Sequence, residues 1–267
     1  MKSYKFFLIA SKLDEASMTL FRNLFNFEEL KEIEEGKIYE SKLFSLELID
    51  KELIFSDDLP YKEDFCYIFL SKHRSESKIP TLTSHFPGNL CYDNSLGGNK
   101  REVAYCWPSL LKSYITHIYN LRDKVSHYQI TLEPTHHGPT SSKSPFLFVE
   151  LGSKEENWRD DKAAKVVCEA LVNTLKEEVK LCDAALALGG PHYSEKFTNY
   201  LIKGDIPIAH MVPKYSLSCL DEFMMDHIMR KSIQPIKYAL LNGKGLGKEK
   251  ERIIKLIQDF GLEVIKL

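Results

Sequence analysis

The chain contains 267 residues, and 43% of them are hydrophobic, which is enough apolar material for a globular core. Its formal net charge is -2. A surface that is basic throughout is therefore excluded, and a polyanionic partner would have to bind at a local basic patch.

The termini and the cysteines bear on where the protein works. No stretch approaches the ~20 apolar residues that a membrane span requires, and the N-terminal apolar run passes into charged sequence without a cleavage region. We therefore expect a buried first strand and a cytoplasmic protein. The six cysteines have no C-x-x-C spacing, which predicts reduced, mostly buried thiols rather than a zinc ribbon or a disulfide scaffold.

Hydrophobic periodicity predicts strands and helices in alternation along the chain. Strands are predicted at 4–10, 65–70, 128–132, 146–151, 184–188, 206–211, 236–241 and 263–266, with a hairpin or two short strands at 42–55. Helices are predicted at 14–27, 107–122, 160–179, 217–230 and 248–260. This order predicts one α/β/α domain over residues 1–267, in which a compact N-terminal part, 1–70, packs on a catalytic part, 71–267.

Two irregular stretches interrupt this pattern. Periodicity stops between residues 71 and 100, and this predicts an ordered loop longer than the ~4 to 6 residues of most connections. The stretch Glu133-Pro-Thr-His-His-Gly-Pro-Thr140 follows a predicted strand, and its prolines and glycine favour a shaped loop over a helix or a central strand. Loops at strand ends are where α/β folds place their sites.

Six of the nine histidines follow apolar runs or lie in such loops. Histidines at several strand ends can converge on one metal ion or one reacting carbonyl. A zinc site could draw on His136, His137, His192 and His210, with Glu133 or Glu150. The alternative is that one or two histidines act as a general base without metal, because no H-E-x-x-H spacing is present. The six histidines are His73, His85, His136, His137, His192 and His210.

Glycines and hydroxyls offer further candidates. Gly189 and Gly190 follow a strand, so their amides could hold an oxyanion, although a tight strand-to-helix turn explains them equally well. Residues 243–248 resemble a phosphate loop, but Glu249 stands where a Walker A motif needs Ser or Thr. No G-x-S-x-G elbow is present, so covalent catalysis is the weaker option.

Six ordered sequence blocks together resemble the archaeal and plant type of D-aminoacyl-tRNA deacylase. They span residues 71–215, and two small departures, at Pro191 and at 96–98, leave every candidate histidine in place. The blocks are Ser71-Lys-His-Arg-Ser-Glu-Ser77, Leu82-Thr-Ser-His-Phe-Pro-Gly-Asn89, Glu133-Pro-Thr-His-His-Gly-Pro-Thr140, Glu150-Leu-Gly-Ser153 with Trp158 and Asp160, Gly189-Gly-Pro-His-Tyr193 and Ala209-His-Met-Val-Pro-Lys-Tyr215.

The resemblance implies hydrolysis of the ester between a D-amino acid and the terminal ribose of tRNA. It also implies zinc and a three-layer α/β/α fold with a mixed central sheet, similar to the phosphorylase and peptidyl-tRNA hydrolase type. A metallo-aminopeptidase, a nucleoside phosphorylase-like enzyme and a non-catalytic tRNA-binding protein remain the alternatives. We expect a monomer whose partner is D-aminoacyl-tRNA. We expect no association with a membrane.

Roles are assigned to named residues on this basis. The predicted catalytic residues are His137, His192 and Glu150, and the predicted metal ligands are His136, His137, His210 and Glu133. A basic face for tRNA is expected from Lys72, Arg74, Lys78, Lys100, Arg101, Lys143, Lys244 and Lys248. The predicted substrate-binding residues are Ser71, His73, Ser75, His85, Asn89, Gly189, Gly190, Tyr193 and Lys214.

Overall fold

A computed structural model describes residues 4–267. Its strands, in chain order, are β1 (Lys5–Ser11), β2 (Lys31–Glu34), β3 (Ile38–Glu40), β4 (Phe44–Ile49), β5 (Phe65–Arg74), β6 (Thr81–His85), β7 (Gly88–Asn89), β8 (Glu102–Val103), β9 (Gln129–Leu132), β10 (Phe146–Ser153), β11 (Ala184–Gly190), β12 (Ile208–Pro213), β13 (Ile236–Leu241) and β14 (Glu263–Lys266).

Helices connect and cover these strands. The α-helices are α1 (Glu15–Leu24), α2 (Pro108–Asn120), α3 (Glu155–Trp158), α4 (Asp161–Lys176), α5 (Glu195–Lys203), α6 (Glu222–Arg230) and α7 (Lys250–Asp259). Short 3-10 helices lie at Leu53–Phe55, Arg122–Val125, Lys214–Cys219 and Gly243–Glu249.

The strands form a large mixed sheet and a smaller parallel one. The large sheet has the order β2-β3-β4-β1-β5-β10-β6-β9, with β4, β1, β5 and β10 parallel and β6 antiparallel to β10. The second sheet, β12-β11-β13-β14, is parallel throughout, and β7 pairs with β8. The predicted α/β fold with a mixed sheet is confirmed, and its strands are divided between two sheets.

The central strands have the composition expected of buried parallel strands. In β5 the run Cys66 to Leu70 is buried, and every residue of β10 is buried. One face packs with α1, α2 and α4 through a large apolar cluster, and the other packs around Phe69 and Phe148 with Leu53. Since β5 pairs with β1 on one side and with β10 on the other, the sheet continues across residue 70. The single-domain organisation stays a prediction.

Helix starts follow from their capping residues. Asp14 accepts from the amide of Ser17 at the start of α1, and Asp160 accepts from the amides of Lys162 and Ala163 at the start of α4. The predicted helix at 160–179 therefore begins at an aspartate cap. No helix within residues 4–267 has the length and apolar character needed to cross a membrane.

Three local predictions are wrong. Residues 42–55 do not form a hairpin, because β4 pairs antiparallel with β3 and a 3-10 turn follows it. The 71–100 stretch is not one loop, because β5 continues to Arg74 and β6 inserts beside β10. Two cysteines, Cys91 and Cys219, form a disulfide, and Cys182 is exposed rather than buried.

Candidate active site

A cavity of about 750 Å³ lies where several strands end. The end of β5 contributes Ser71 to Arg74, the loop after β9 contributes Glu133, His136 and His137, and the turn after β11 contributes His192. Glu150 reaches the same cavity from within β10. Strands of both directions, and from both sheets, therefore bring residues far apart in the sequence to one wall.

The deepest part of this wall is a buried cluster of one imidazole and two carboxylates. Nδ1 of His73 lies 2.8 Å from Oε1 of Glu133 and 3.3 Å from Oε2 of Glu150. The hydroxyl of Thr83 donates to Oε2 of Glu150 at 2.9 Å. A buried carboxylate is unfavourable without a partner, so His73 supplies the compensating positive charge.

Burial and charge shift the pKa values of this cluster in different directions. Burial lowers the pKa of His73, but the close contacts of its ring with the carboxylates of Glu133 and Glu150 outweigh this effect and raise the pKa to about 11. Burial, together with the neighbouring charge of Glu133, raises the pKa of Glu150 to about 7. Although burial opposes it, the hydrogen bond from His192 and the close positive ring of His73 hold the pKa of Glu133 well below its usual value. One carboxyl group is therefore ionised while its neighbour can hold a proton near neutral pH.

His192 is fixed at both ring nitrogens. Its Nε2 lies 3.0 Å from Oε2 of Glu133, and its Nδ1 lies 3.0 Å from the hydroxyl of Tyr215. The His192 side chain is partly exposed, whereas the Glu133 carboxylate is buried. The buried carboxylate of Glu133 thus orients the imidazole of His192, which lines the cavity.

The backbone fixes the tautomers of His136 and His137. Nδ1 of His136 donates to the Pro134 carbonyl at 2.8 Å, which leaves Nε2 unprotonated, 3.6 Å from Oε2 of Glu133. Nδ1 of His137 donates to the Gly138 carbonyl at 2.7 Å, so its Nε2 accepts from Nε2 of His85 at 3.1 Å. Burial is the largest cause of a lowered pKa at both rings, to about 3 at His137, which keeps them neutral.

Three overlapping groups in the described chain have ligand atoms close enough to hold a metal ion. They are Glu133–His136–His192, His85–His136–His137 and His73–Glu133–Glu150, with ligand atoms in each group within 4.8 Å of one another. All three members of the first group line the cavity. Oε2 of Glu133 lies 3.0 Å from Nε2 of His192 and 3.6 Å from Nε2 of His136. Two imidazoles and one carboxylate, with an open side toward a cavity, fit a divalent cation.

The structure brings together most of the predicted catalytic and metal-binding residues. His137, His192, Glu150, His136 and Glu133 all line the large cavity. Both ring nitrogens of His137 have hydrogen-bond partners within the protein. Its catalytic role stays a prediction.

His210 does not belong to this group, and its prediction as a metal ligand is corrected. Nε2 of His210 donates to the Ala104 carbonyl at 3.1 Å, and Nδ1 accepts from the Thr135 hydroxyl at 2.9 Å. The ring is fully buried, and no metal-binding group among the described residues includes it. Burial lowers its pKa to about 3. His210 is a neutral core histidine that holds the loop after β9 against β12.

The predicted substrate-binding residues are in different places. Ser71, His73 and Ser75 line the large cavity, whereas Lys214 is exposed and lines neither it nor the adjoining smaller cavity. His85 is buried, with its ring stacked on Phe148.

Tyr193 and Asn89 support neighbouring parts of the site. The Tyr193 hydroxyl lies 2.9 Å from Nε2 of His73. Asn89 donates to the Gly97 carbonyl at 2.7 Å, so its side chain holds the 89–98 loop in shape.

Gly189 and Gly190 are explained by packing rather than by an oxyanion. Both lie inside β11 and are buried, and neither lines the large cavity. A Cβ on Gly190 would come within 2.7 Å of the Phe197 ring, and Gly189 has φ +84° beside Leu246. The helix after them begins at Glu195, capped by Ser194.

The predicted basic face is only partly assembled. Lys72, Arg74 and Lys78 line the large cavity together. Arg101 is mostly buried and paired with Asp221, and Lys143 lies at another cavity beside Glu63. Arg101 and Lys143 thus lie outside the lining of the large cavity and have acidic partners, and their part in a basic face stays a prediction.

Two site residues were not predicted. Thr83 was missed because β6 was interpreted as loop, although the run Thr81-Leu-Thr-Ser-His85 has the β-branched residues of a strand. Tyr215 was quoted in a sequence block but given no role, because nothing in the sequence places it beside His192.

Comparison with known proteins agrees with these features. A family model described as D-aminoacyl-tRNA deacylase matches residues 61–265. The chain belongs to the D-aminoacyl-tRNA deacylase family. A family relative from Cenarchaeum symbiosum is 37% identical over 86% of this chain and 89% of its own length. One from Methanocaldococcus jannaschii is 34% identical over 97% of this chain and 98% of its own.

A crystal structure of a conserved protein of unknown function has the same fold as this family member. It superposes with a TM-score of 0.90 at 26% identity and covers 100% of this chain and 96% of its own. The family assignment favours deacylation over the aminopeptidase, phosphorylase and non-catalytic alternatives.

Proposed function

We propose that the chain hydrolyses the ester bond between a D-amino acid and the terminal ribose of tRNA by attack of an activated water. The observation that carries the proposal is the convergence of Glu133, His136 and His192 at a cavity wall in a member of the deacylase family. The products are free tRNA and the D-amino acid. The enzyme class is therefore a hydrolase of carboxylic esters.

We also propose zinc as the cofactor, held by Glu133, His136 and His192. Two imidazoles and a carboxylate are a donor set that zinc accepts in catalytic sites. The backbone bond from Nδ1 of His136 leaves its Nε2 free as a ligand, and the Tyr215 hydroxyl can play the same part at Nδ1 of His192. Zinc bound there would polarise the ester carbonyl and lower the pKa of a bound water to ~7.

Glu150 is the proposed carrier of the proton. Thr83 and His73 hold its carboxyl group at the cavity wall, so its orientation is set before substrate binds. As the water oxygen attacks the carbonyl carbon, Glu150 takes a proton from that water. It returns the proton to the ribose oxygen when the carbon–oxygen ester bond breaks.

Lys72, Arg74 and Lys78 are the proposed contacts for the tRNA backbone. Their cations line the same cavity as the catalytic groups, and phosphate contacts set the register of a nucleic acid on a protein. Because aminoacyl-tRNA is a substrate of cytoplasmic translation, we propose that the chain works in the cytoplasm. We also propose that it works as a monomer.

The test compares the two hands of one substrate. Purified protein is incubated with D-tyrosyl-tRNA and with L-tyrosyl-tRNA, and release of labelled amino acid is followed. We expect rapid release of D-tyrosine and slow release of L-tyrosine. Equal rates for the two esters would overturn the proposal, as would turnover of free peptides or nucleosides in place of either ester.

A further inference from the structure

A second cavity of about 300 Å³ adjoins the large one at the catalytic wall. His136, His137 and Leu96 line both cavities. We call this space the loop cavity, because most of its remaining walls come from β7 and the loop that follows it, and Thr135, Tyr215 and Ser216 complete them. Two volumes therefore meet at His136, a proposed metal ligand, and at its neighbour His137.

The walls of the loop cavity are held in place by several independent links. The disulfide between Cys91 and Cys219 joins the loop to the 3-10 helix that carries Tyr215. The amide of Gly138 donates to the Leu96 carbonyl at 3.0 Å, which fixes the loop to the backbone beside His137. A cavity built by such links has a defined width and can discriminate by size.

The two cavities differ in the cations that they offer. The lining of the large cavity contains Lys72, Arg74 and Lys78 among five carboxylates, whereas the described lining of the loop cavity contains no lysine or arginine and has one carboxylate, Asp93. An aminoacyl-tRNA has phosphates on one side of the ester and an amino acid on the other. A phosphate is favoured beside a cation, and of these two described linings the large cavity's alone contains cations.

The loop cavity also offers apolar surface. Leu90 is buried in its wall, while Leu96 and Tyr215 are 54% and 58% exposed. The Tyr215 hydroxyl is bonded to His192, so the ring stands next to the proposed metal ligand. Binding is favourable when an apolar part of a substrate covers exposed apolar side chains, because both surfaces are removed from water.

We propose that the loop cavity receives the side chain of the D-amino acid, while the large cavity receives the 3′ end of the tRNA. This assignment rests on the proposed deacylase function. Leu90, Leu96 and Tyr215 are then residues that determine which D-amino acids are accepted. Ser216, a small residue in the wall, leaves room for a bulky side chain.

The test narrows the cavity and compares a large with a small substrate. Ser216→Phe is assayed with D-tyrosyl-tRNA and D-alanyl-tRNA, next to Ser218→Phe, which changes an exposed residue of the same 3-10 helix outside the lining. We expect Ser216→Phe to lower kcat/KM for the D-tyrosyl ester at least about tenfold more than for the D-alanyl ester. The control should leave the ratio at the wild-type value.

A second variant keeps the proposal testable if Ser216→Phe does not fold. Leu96→Ala shortens an exposed side chain, and we expect it to change the ratio of the two kcat/KM values by at least about tenfold. An unchanged ratio in either folded variant would overturn the cavity assignment while wild-type deacylation remains intact. Failure of the wild-type protein to release any D-amino acid would instead overturn the proposed function.

Discussion

Nδ1 of His73 lies 2.8 Å from Oε1 of Glu133, and both side chains are almost fully buried. Among residues 4–267 no hydrogen-bond donor is directed at that oxygen, so the contact is an ion pair rather than a well-aligned hydrogen bond. The same imidazole also approaches Glu150. One positive ring therefore makes the burial of two carboxyl groups tolerable, and this couples the stability of the site to its chemistry.

Replacing His73 by alanine should destabilise the protein by about 3–5 kcal/mol, because Glu133 loses its buried partner. Urea denaturation followed by circular dichroism measures the change. His127→Ala, at a ring that is 59% exposed, is the control and should cost little. Adding Glu150→Gln to His73→Ala should recover part of the loss, since one carboxyl group is removed. A cost below about 1 kcal/mol would show that His73 does not compensate the carboxylates.

The second prediction concerns proton transfer. Glu150→Gln keeps the shape of the side chain and an oxygen for the Thr83 hydroxyl, but it cannot carry a proton. We expect kcat for D-tyrosyl-tRNA to fall by about 10²- to 10⁴-fold with little change in KM. Glu47→Gln, in β4 of the same sheet, is the matched control. A kcat within about threefold of wild type would exclude Glu150 as the proton carrier.

Sequence patterns identified the main elements and the residues of the catalytic wall, for physical reasons. Strands such as β5 and β10 are continuous apolar runs, and their loops contain histidine, proline and glycine in unusual density. The position of β6 was not predicted, because its polar residues are buried by hydrogen bonds to β10 rather than by apolar packing. Which strand ends meet depends on sheet order, and one sequence does not specify sheet order.

The same limit explains the errors at single residues. His210 follows an apolar run just as His192 follows another, yet its ring is used to tie Thr135 to Ala104 inside the core. Gly190 resembles a residue of an anion-binding turn, but the Phe197 ring needs the space of its missing side chain. Sequence indicates residue types suited to chemistry. Whether a hydrogen-bond partner is already present is decided by tertiary packing.

Metal content separates the proposed ligands from the core histidine. Purified protein should contain about one zinc per chain by elemental analysis, and chelation followed by zinc addition should abolish and restore deacylation. His192→Ala and Glu133→Gln should each lower zinc affinity by at least about tenfold, whereas His210→Gln should keep the metal. Retention of zinc by His192→Ala, or its loss from His210→Gln, would contradict the assignment of ligands.

His210 also makes a testable contribution to the pH dependence of stability. Its folded-state pKa is lowered from 6.5 to about 3, since burial disfavours the charged ring. The unfolded chain therefore binds one more proton than the folded chain between these two values. The contribution of His210 to the free energy of unfolding is complete above pH 6.5 and is lost as the pH falls toward 3, at up to about 1.4 kcal/mol per pH unit.

His210→Gln removes this titration, so the stability of the variant should fall less steeply than that of the wild type over this range. Urea denaturation of both proteins at pH 7, 6, 5 and 4 gives the two slopes, and His117→Gln, on the partly exposed surface of α2, controls for the loss of any histidine. Parallel slopes for the wild type and His210→Gln would mean that the ring is already charged in the folded protein, which its bonds to the Ala104 carbonyl and the Thr135 hydroxyl argue against.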